Sequence, residues 1–156
     1  MTVPSRLLAA ALLTSAWMGA ALLTVAVVAP GAFAVLPSRS IAGVMVGRVL
    51  PMVFGSGLAL GIAVALAAGP RGASPGAAIT ALLVSAACAV SQFGINPRIA
   101  QLRADMNGPV DALAPGDPRR VAFGLLHGYS VAGLGVAMLA AGVSLAFLFY
   151  ALRPRS

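Results

Sequence analysis

Four apolar runs, roughly 7–29, 41–68, 77–95 and 121–152, dominate the chain and carry almost no charge. A bilayer core about 30 Å thick needs roughly 20 residues of helix at 1.5 Å each, so each run is long enough to cross it. The chain is therefore expected to be all-α: an integral membrane bundle of four transmembrane helices forming a single domain over 1–156. Four crossings return the chain to the side it started from, which puts both termini in one compartment.

Composition excludes the soluble alternative. Of the 156 residues 60% are hydrophobic and 8% charged, and the mean hydropathy is +1.01. A soluble domain carries about a quarter of its residues as charges, so this surface has to face lipid. The net charge of +7 comes from ten arginines against three aspartates, with no Lys or Glu. All three aspartates (Asp105, Asp111 and Asp117) fall in one connecting segment, and most arginines flank the apolar runs. That is the placement of headgroup anchors and not of a nucleic-acid surface. The expected partner is the lipid bilayer, with no nucleic acid, and the expected location is multi-pass in a bacterial inner (plasma) membrane. Cys88 is the single cysteine, so the chain holds no disulfide framework and no cysteine-based metal motif.

The runs are punctuated regularly. Pro30-Gly31 is expected to close the first helix, Gly69-Pro70 the second and Pro154 the last. Ser38 or Ser40 should open the second, Ser74-Pro75 the third and Asp117-Pro118 the fourth. At the last two, a side-chain acceptor caps the helix and a proline occupies the first turn, where its missing N–H costs nothing. Arg6, the first apolar run and Ala32-Phe33-Ala34 resemble a signal peptide with its cleavage site. The run exceeds the 7–15 residues typical of such a segment, and it is read as a retained helix.

Between the third and fourth runs, Asn96-Pro97 again reads as a cap and first turn. A short interfacial helix is expected from Pro97 to Asn107. Ile99, Leu102 and Met106 share one face at i, i+3, i+7, with Arg98, Gln101 and Asp105 opposite, which suits a helix lying in the membrane plane. The competing reading is a short extension of the third helix. Gly108-Pro109 and Pro115-Gly116 mark the loop. Four arginines (Arg6, Arg71, Arg153, Arg155) lie on the side of the termini and five (Arg39, Arg98, Arg103, Arg119, Arg120) on the other, a split that selects no orientation.

Few side chains inside the runs can carry chemistry. Arg48 lies about 12 Å in from the loop side and His127 about 9 Å, counting 1.5 Å per residue. Gln92 and Asn96 end the third run at a similar level, and Tyr129 and Ser130 follow His127. Arg48, Gln92, Asn96, His127 and Ser130 thus form a candidate polar cluster in one leaflet. Arg48 has three readings: snorkelling to lipid phosphate, an anion-binding or gating role, or a structural clasp. His127 is either a neutral imidazole bonded to a backbone carbonyl or part of a proton relay or metal site. No Asp, Glu or second His in the membrane completes a relay or a metal site, which takes three or four ligands. Met18, Met45, Met52, Met138 and Cys88 could make a soft metal set only by converging. No catalytic residues, cofactor or metal are expected. Gly43/Gly47, Gly57/Gly61 and Gly124/Gly128 each stand four apart, a spacing that lets helix backbones approach in lipid. Packing within the monomer and homo-oligomerisation through the Gly-rich faces both remain open.

Several of these elements recur in a known pattern. Ala29-Pro30, Phe33, Leu36-Pro37, Gly47-Arg48, Pro51 and Phe54 are similar to the first half of the transmembrane-protein-205-like family. Asn96-Pro97-Arg98-Ile99, Leu102-Arg103, Phe123, Leu126-His127-Gly128-Tyr129-Ser130 and Leu134-Gly135 resemble its second half. The resemblance spans about residues 10–140 and implies four transmembrane helices with no established enzymatic activity. Vertebrate members of that family are linked to platinum-drug resistance, which implies export or trafficking. The chain lacks the long charged insertion that some members carry between helices three and four. The expected function is that of a non-enzymatic polytopic membrane protein, structural or stress-related. The alternatives are a small transporter or exporter subunit acting as an oligomer, and a haem- or metal-binding membrane anchor.

Overall fold

The computed structural model describes residues 3–69, 74–106 and 108–154. Among them there are helices and loops and no strand. Four helices are long and apolar enough to cross a membrane: α1 (Pro4–Val35), α2 (Arg39–Ala68), α3 (Pro75–Asp105) and α4 (Pro118–Leu152). They form a ring in which α1 packs on α2, α2 on α3, α3 on α4 and α4 back on α1. Apolar side chains cover the outside as well as the core. Leu12 of α1, Met52 and Leu66 of α2 and Leu139 of α4 are more than 60% exposed. Such a surface is solvated by lipid, and the chain is a multi-pass membrane protein.

Two of the expected caps form. The Ser38 hydroxyl accepts a hydrogen bond from the Ile41 N–H at 3.2 Å. The Asp117 carboxylate accepts from the Arg119 N–H at 2.8 Å, with Pro118 in the first turn. Ser74 precedes α3 without a side-chain cap bond. Arg71, Asn107, Arg155 and the expected stop at Pro70 lie outside the described residues.

Two expected boundaries are corrected. Pro30 does not end α1, which runs on to Val35, and Asn96-Pro97 does not start a separate helix. Residues Asn96–Asp105 continue α3 without a break, so no distinct interfacial helix stands between α3 and α4. The physical reason is the same at both sites. An in-helix proline removes one N–H, and its ring collides with the carbonyl four residues back. Here a stretch of π-helix precedes each proline: Thr24–Val28 before Ala29-Pro30 and Val90–Ile95 before Asn96-Pro97. The Ala29 N–H bonds to the Thr24 carbonyl and the Asn96 N–H to the Ser91 carbonyl, both five residues back. The wider turn clears the ring and lets the helix continue. The expected face along the continued segment is present: Met106 is buried, Ile99 and Leu102 are half-buried, and Arg98, Gln101 and Asp105 are exposed.

The core fills the middle and the terminus end of the ring. Trp17, Phe54, Val84, Cys88, Leu134 and Ala137 pack in the middle. Leu7, Ala11, Val64, Ala77, Ala81 and Leu148 pack towards the termini. The Trp17 indole N–H donates to the Val53 carbonyl at 3.0 Å, joining α1 to α2. Ser85 Oγ donates to the Leu58 carbonyl at 2.9 Å, and Ser144 Oγ to the Ala77 carbonyl at 3.1 Å. Gly57 and Gly61 make the close α2–α3 approach possible. A Cβ on Gly57 would stand 2.6 Å from the Trp17 ring and 2.7 Å from the Cys88 sulfur. One on Gly61 would run into Ser85 Oγ and the Ala81 carbonyl.

Candidate functional site: a polar pocket at the loop end

Where α1 ends, α2 begins, α3 ends and α4 begins, the helices stand apart around a pocket of about 650 Å³. One face of each helix lines it. From α2 come Arg39, Ser40, Gly43, Val46, Gly47, Leu50 and Pro51, and from α3 come Gln92, Asn96, Ile99, Ala100 and Arg103. From α4 come Arg120, Phe123, Gly124, His127 and Ser130, with Phe33 and Asp111 at the rim. These positions repeat at three and four residues, the spacing that stacks side chains on one face of a helix.

Four of the five sequence-selected residues line this pocket: Gln92, Asn96, His127 and Ser130. Asn96 Nδ2 donates to Gln92 Oε1 at 3.3 Å. The His127 ring stacks on Phe123 with centroids 6.3 Å apart and planes 2° from parallel. Ser130 is 2% exposed, and its Oγ has no hydrogen-bond partner among the described residues.

Arg48 does not join them. It is exposed and lies outside the lining, on the outer stripe of α2 with Val44, Met45 and Met52. One residue is a 100° step around a helix, so Gly47 faces the pocket and Arg48 turns away from it. On that stripe a long cationic side chain reaches for headgroups.

The cation inside the bundle is Arg103. Its guanidinium is half-buried, donates from Nη2 to the Gly43 carbonyl at 3.1 Å, and lies 5.2 Å over the Phe123 ring. Added Cβ atoms on Gly43 and Gly47 would each stand 3.2 Å from its terminal nitrogens. The Gly43/Gly47 pair is therefore a seat for a guanidinium and not a helix–helix contact. Pro51 deepens the seat's polarity, because it has no N–H to return to the Gly47 carbonyl one turn back. Arg103 thus clasps α2 to α3 and α4 through a carbonyl and an aromatic ring, without a carboxylate. A spacing signal for it exists: Gln92, Asn96, Ile99 and Arg103 stand at i, i+4, i+7 and i+11.

The pocket's charge is lopsided. Arg39, Arg103 and Arg120 face it against the single carboxylate of Asp111. The Arg120 guanidinium donates to the Leu113 carbonyl at 2.7 Å. The ion pair among the described residues, Arg119 with Asp117 at 2.8 Å, lies outside the lining. There the Arg119 guanidinium, then its backbone N–H, hold the Asp117 carboxyl down at about 2. Among the described residues no three His, Cys, Asp or Glu side chains stand close enough to hold a metal ion. Met45 and Met52 point outwards, whereas Met18 and Met138 pack on the core that contains Cys88.

Fold and pocket together define the class, a multi-pass α-helical membrane protein with a polar pocket at one end of its bundle. Within that class the chain belongs to the family described as Domain of unknown function (DUF4149), whose model matches residues 12–108. The match does not carry the transmembrane-protein-205-like name. It takes in α1 from Leu12 onwards, all of α2 and all of α3, so the Arg103 seat lies inside it and the α4 wall outside. No curated protein and no solved structure matches the chain.

Proposed function

We propose that the chain is a non-enzymatic component of a bacterial inner membrane whose working part is the loop-end pocket, a blind vestibule that takes up an amphiphilic ligand from one leaflet. The observation that carries this reading is the contrast in filling. Trp17, Phe54 and Cys88 close the bundle beneath the pocket, yet about 650 Å³ stays open above them. Its lining mixes the three arginines Arg39, Arg103 and Arg120 with apolar residues such as Val46, Leu50, Ile99 and Phe123, and Gln92, Asn96, His127 and Ser130 add polar groups at its deep end. Ligand sites share that construction: an apolar cavity with a few convergent polar groups. Polar side chains at membrane depth are costly and concentrate where they serve a ligand or a pathway. A transporter subunit would need further copies, since the solid core leaves no route through one.

The test is a phospholipid bearing a photoactivatable group in its acyl chain, reconstituted with the intact protein and mapped by peptide sequencing. Cross-links should concentrate on α2, α3 and α4 residues of the pocket and fall sharply in Leu50→Trp, which fills the apolar part. Cross-links spread evenly around the outer faces, unchanged by Leu50→Trp, would remove the vestibule.

A further inference from the structure

We propose that the vestibule is a phosphate-headgroup site in which Arg39, Arg103 and Arg120 bind the phosphate oxygens. This rests on the reading of the pocket as a ligand vestibule and adds the chemical class of what enters it.

Three guanidinium groups from three different helices and turns face one cavity, and a single carboxylate opposes them. Each guanidinium has five N–H donors in a planar fork, which matches the oxygens of a phosphate. Most of those donors are idle. Among the described residues Arg103 makes one hydrogen bond, to the Gly43 carbonyl, and Arg120 makes one, to the Leu113 carbonyl. Arg39 makes none. Carbonyl oxygens and an aromatic face hold a cation in place but leave its charge uncancelled, and low dielectric makes that charge expensive. An anion bridging the three would cancel it. The Ser130 hydroxyl, 2% exposed and without a partner among the described residues, lines the same cavity about 15 Å deeper along α4 than Arg120, so it marks the floor of the vestibule and not the phosphate position.

The seat of Arg103 fits this role. Gly43 and Gly47 present bare backbone, so the guanidinium rests in a shallow groove with no side chains caging it. The flexible arginine stem can therefore turn its free donors towards an anion while keeping its place over Phe123. The apolar residues below the arginines would take the first part of an acyl chain. A phospholipid satisfies both parts, whereas free phosphate satisfies only the upper one.

The experiment uses the full chain purified in mild detergent and measures binding by native mass spectrometry and thermal shift. The probes are phosphatidylglycerol, phosphatidylcholine and inorganic phosphate. Phosphatidylglycerol should bind about tenfold more tightly than zwitterionic phosphatidylcholine, as expected for charge-assisted bonds. Arg103→Gln and Arg39→Gln should each erase most of that preference, and Arg103→Lys should restore only part. Arg39→Gln covers the case in which Arg103→Gln fails to fold, because Arg39 is exposed and its side chain makes no hydrogen bond among the described residues. Arg48→Gln, in the same leaflet but outside the pocket, should change nothing. Displacement of phosphatidylglycerol by millimolar inorganic phosphate would assign the oxyanion chemistry to a free anion, and its absence would assign it to the lipid. Equal binding of the two lipids, both blocked by Leu50→Trp, would overturn the headgroup assignment and leave the vestibule. No lipid bound in the pocket would overturn both.

Discussion

Helix α2 carries the same glycine spacing twice and uses it in two ways. At Gly57 and Gly61 the absent side chains bring α2 hard against α3, and the bundle is solid at that level. At Gly43 and Gly47 the absent side chains admit the Arg103 guanidinium, and the bundle stands open. The third pair, Gly124 and Gly128, meets nothing within reach, so it does not pack inside the chain. Glycine at i, i+4 supplies bare backbone. What occupies it depends on whether the facing helix offers small residues such as Ala81 and Ser85, or a long donor.

The largest test of that comparison is to add one methyl group at each end. Gly61→Ala drives a Cβ into a backbone carbonyl that cannot give way, and Gly57→Ala drives one into the Trp17 ring. Each should cost about 1–3 kcal/mol in unfolding experiments in detergent or bicelles, the usual cost of overpacking. Gly43→Ala and Gly47→Ala meet only the end of a flexible side chain and should cost less than about 1 kcal/mol, offset by the better helix propensity of alanine. Equal losses at both ends would erase the distinction.

A second test addresses how the sealed half is tied. Trp17→Phe keeps most of the ring but removes its bond to the Val53 carbonyl, which should cost about 1 kcal/mol. It should leave lipid binding at the open end unchanged.

A third test sharpens the clasp. Arg103→Ala and Phe123→Leu should be non-additive by about 0.5–1 kcal/mol, as for a partly desolvated cation–π pair. Arg48→Ala and His127→Ala share no contact and should be additive.

Legibility in the sequence divides along the same line. The four spans and the caps at Ser38 and Asp117 are local properties, written in run length and in the residue ahead of each run. Which face of a span looks inwards is not local. These helices are apolar all round, so no polar stripe separates lipid-facing from bundle-facing positions. Depth alone therefore groups Arg48 with Gln92, Asn96 and His127 and leaves its direction open, whereas in the structure its neighbour Gly47 faces the pocket and Arg48 does not. Arg103 sits beyond the third apolar run, where Asn96-Pro97 suggests a new helix. Only the π-turn that carries α3 through the proline brings it onto the face of Gln92 and Asn96. Proline marks the helices at Pro30 and Pro97 correctly as special places and misleads about what happens there.

The smallest effect lies at the start of α4. The Asp117 carboxyl is held down at about 2 by its bonds from Arg119. A depressed carboxyl contributes stability that is present above its unfolded value and lost as pH falls through the folded one. Asp117→Ala should therefore lower the midpoint of thermal unfolding slightly at neutral pH, with the gap closing as the pH drops from about 4 towards 2.

The central claim is that the loop end holds a vestibule whose mouth opens to water, unlike the outer faces of the bundle. Leu125 and His127 stand at nearly the same depth on α4. Leu125 is 56% exposed on the outer face, and His127 lines the pocket. In a Cys88→Ala background, Leu125→Cys and His127→Cys can be compared for reaction with a membrane-impermeant thiol reagent in sealed vesicles of known orientation. The account predicts that His127→Cys reacts at least about tenfold faster, because a thiol in contact with water ionises and one in lipid does not. Its reaction should also slow when Leu50→Trp is added. Equal protection of the two cysteines would contradict it: the pocket would then be no more open to water than the lipid-facing surface of the bundle.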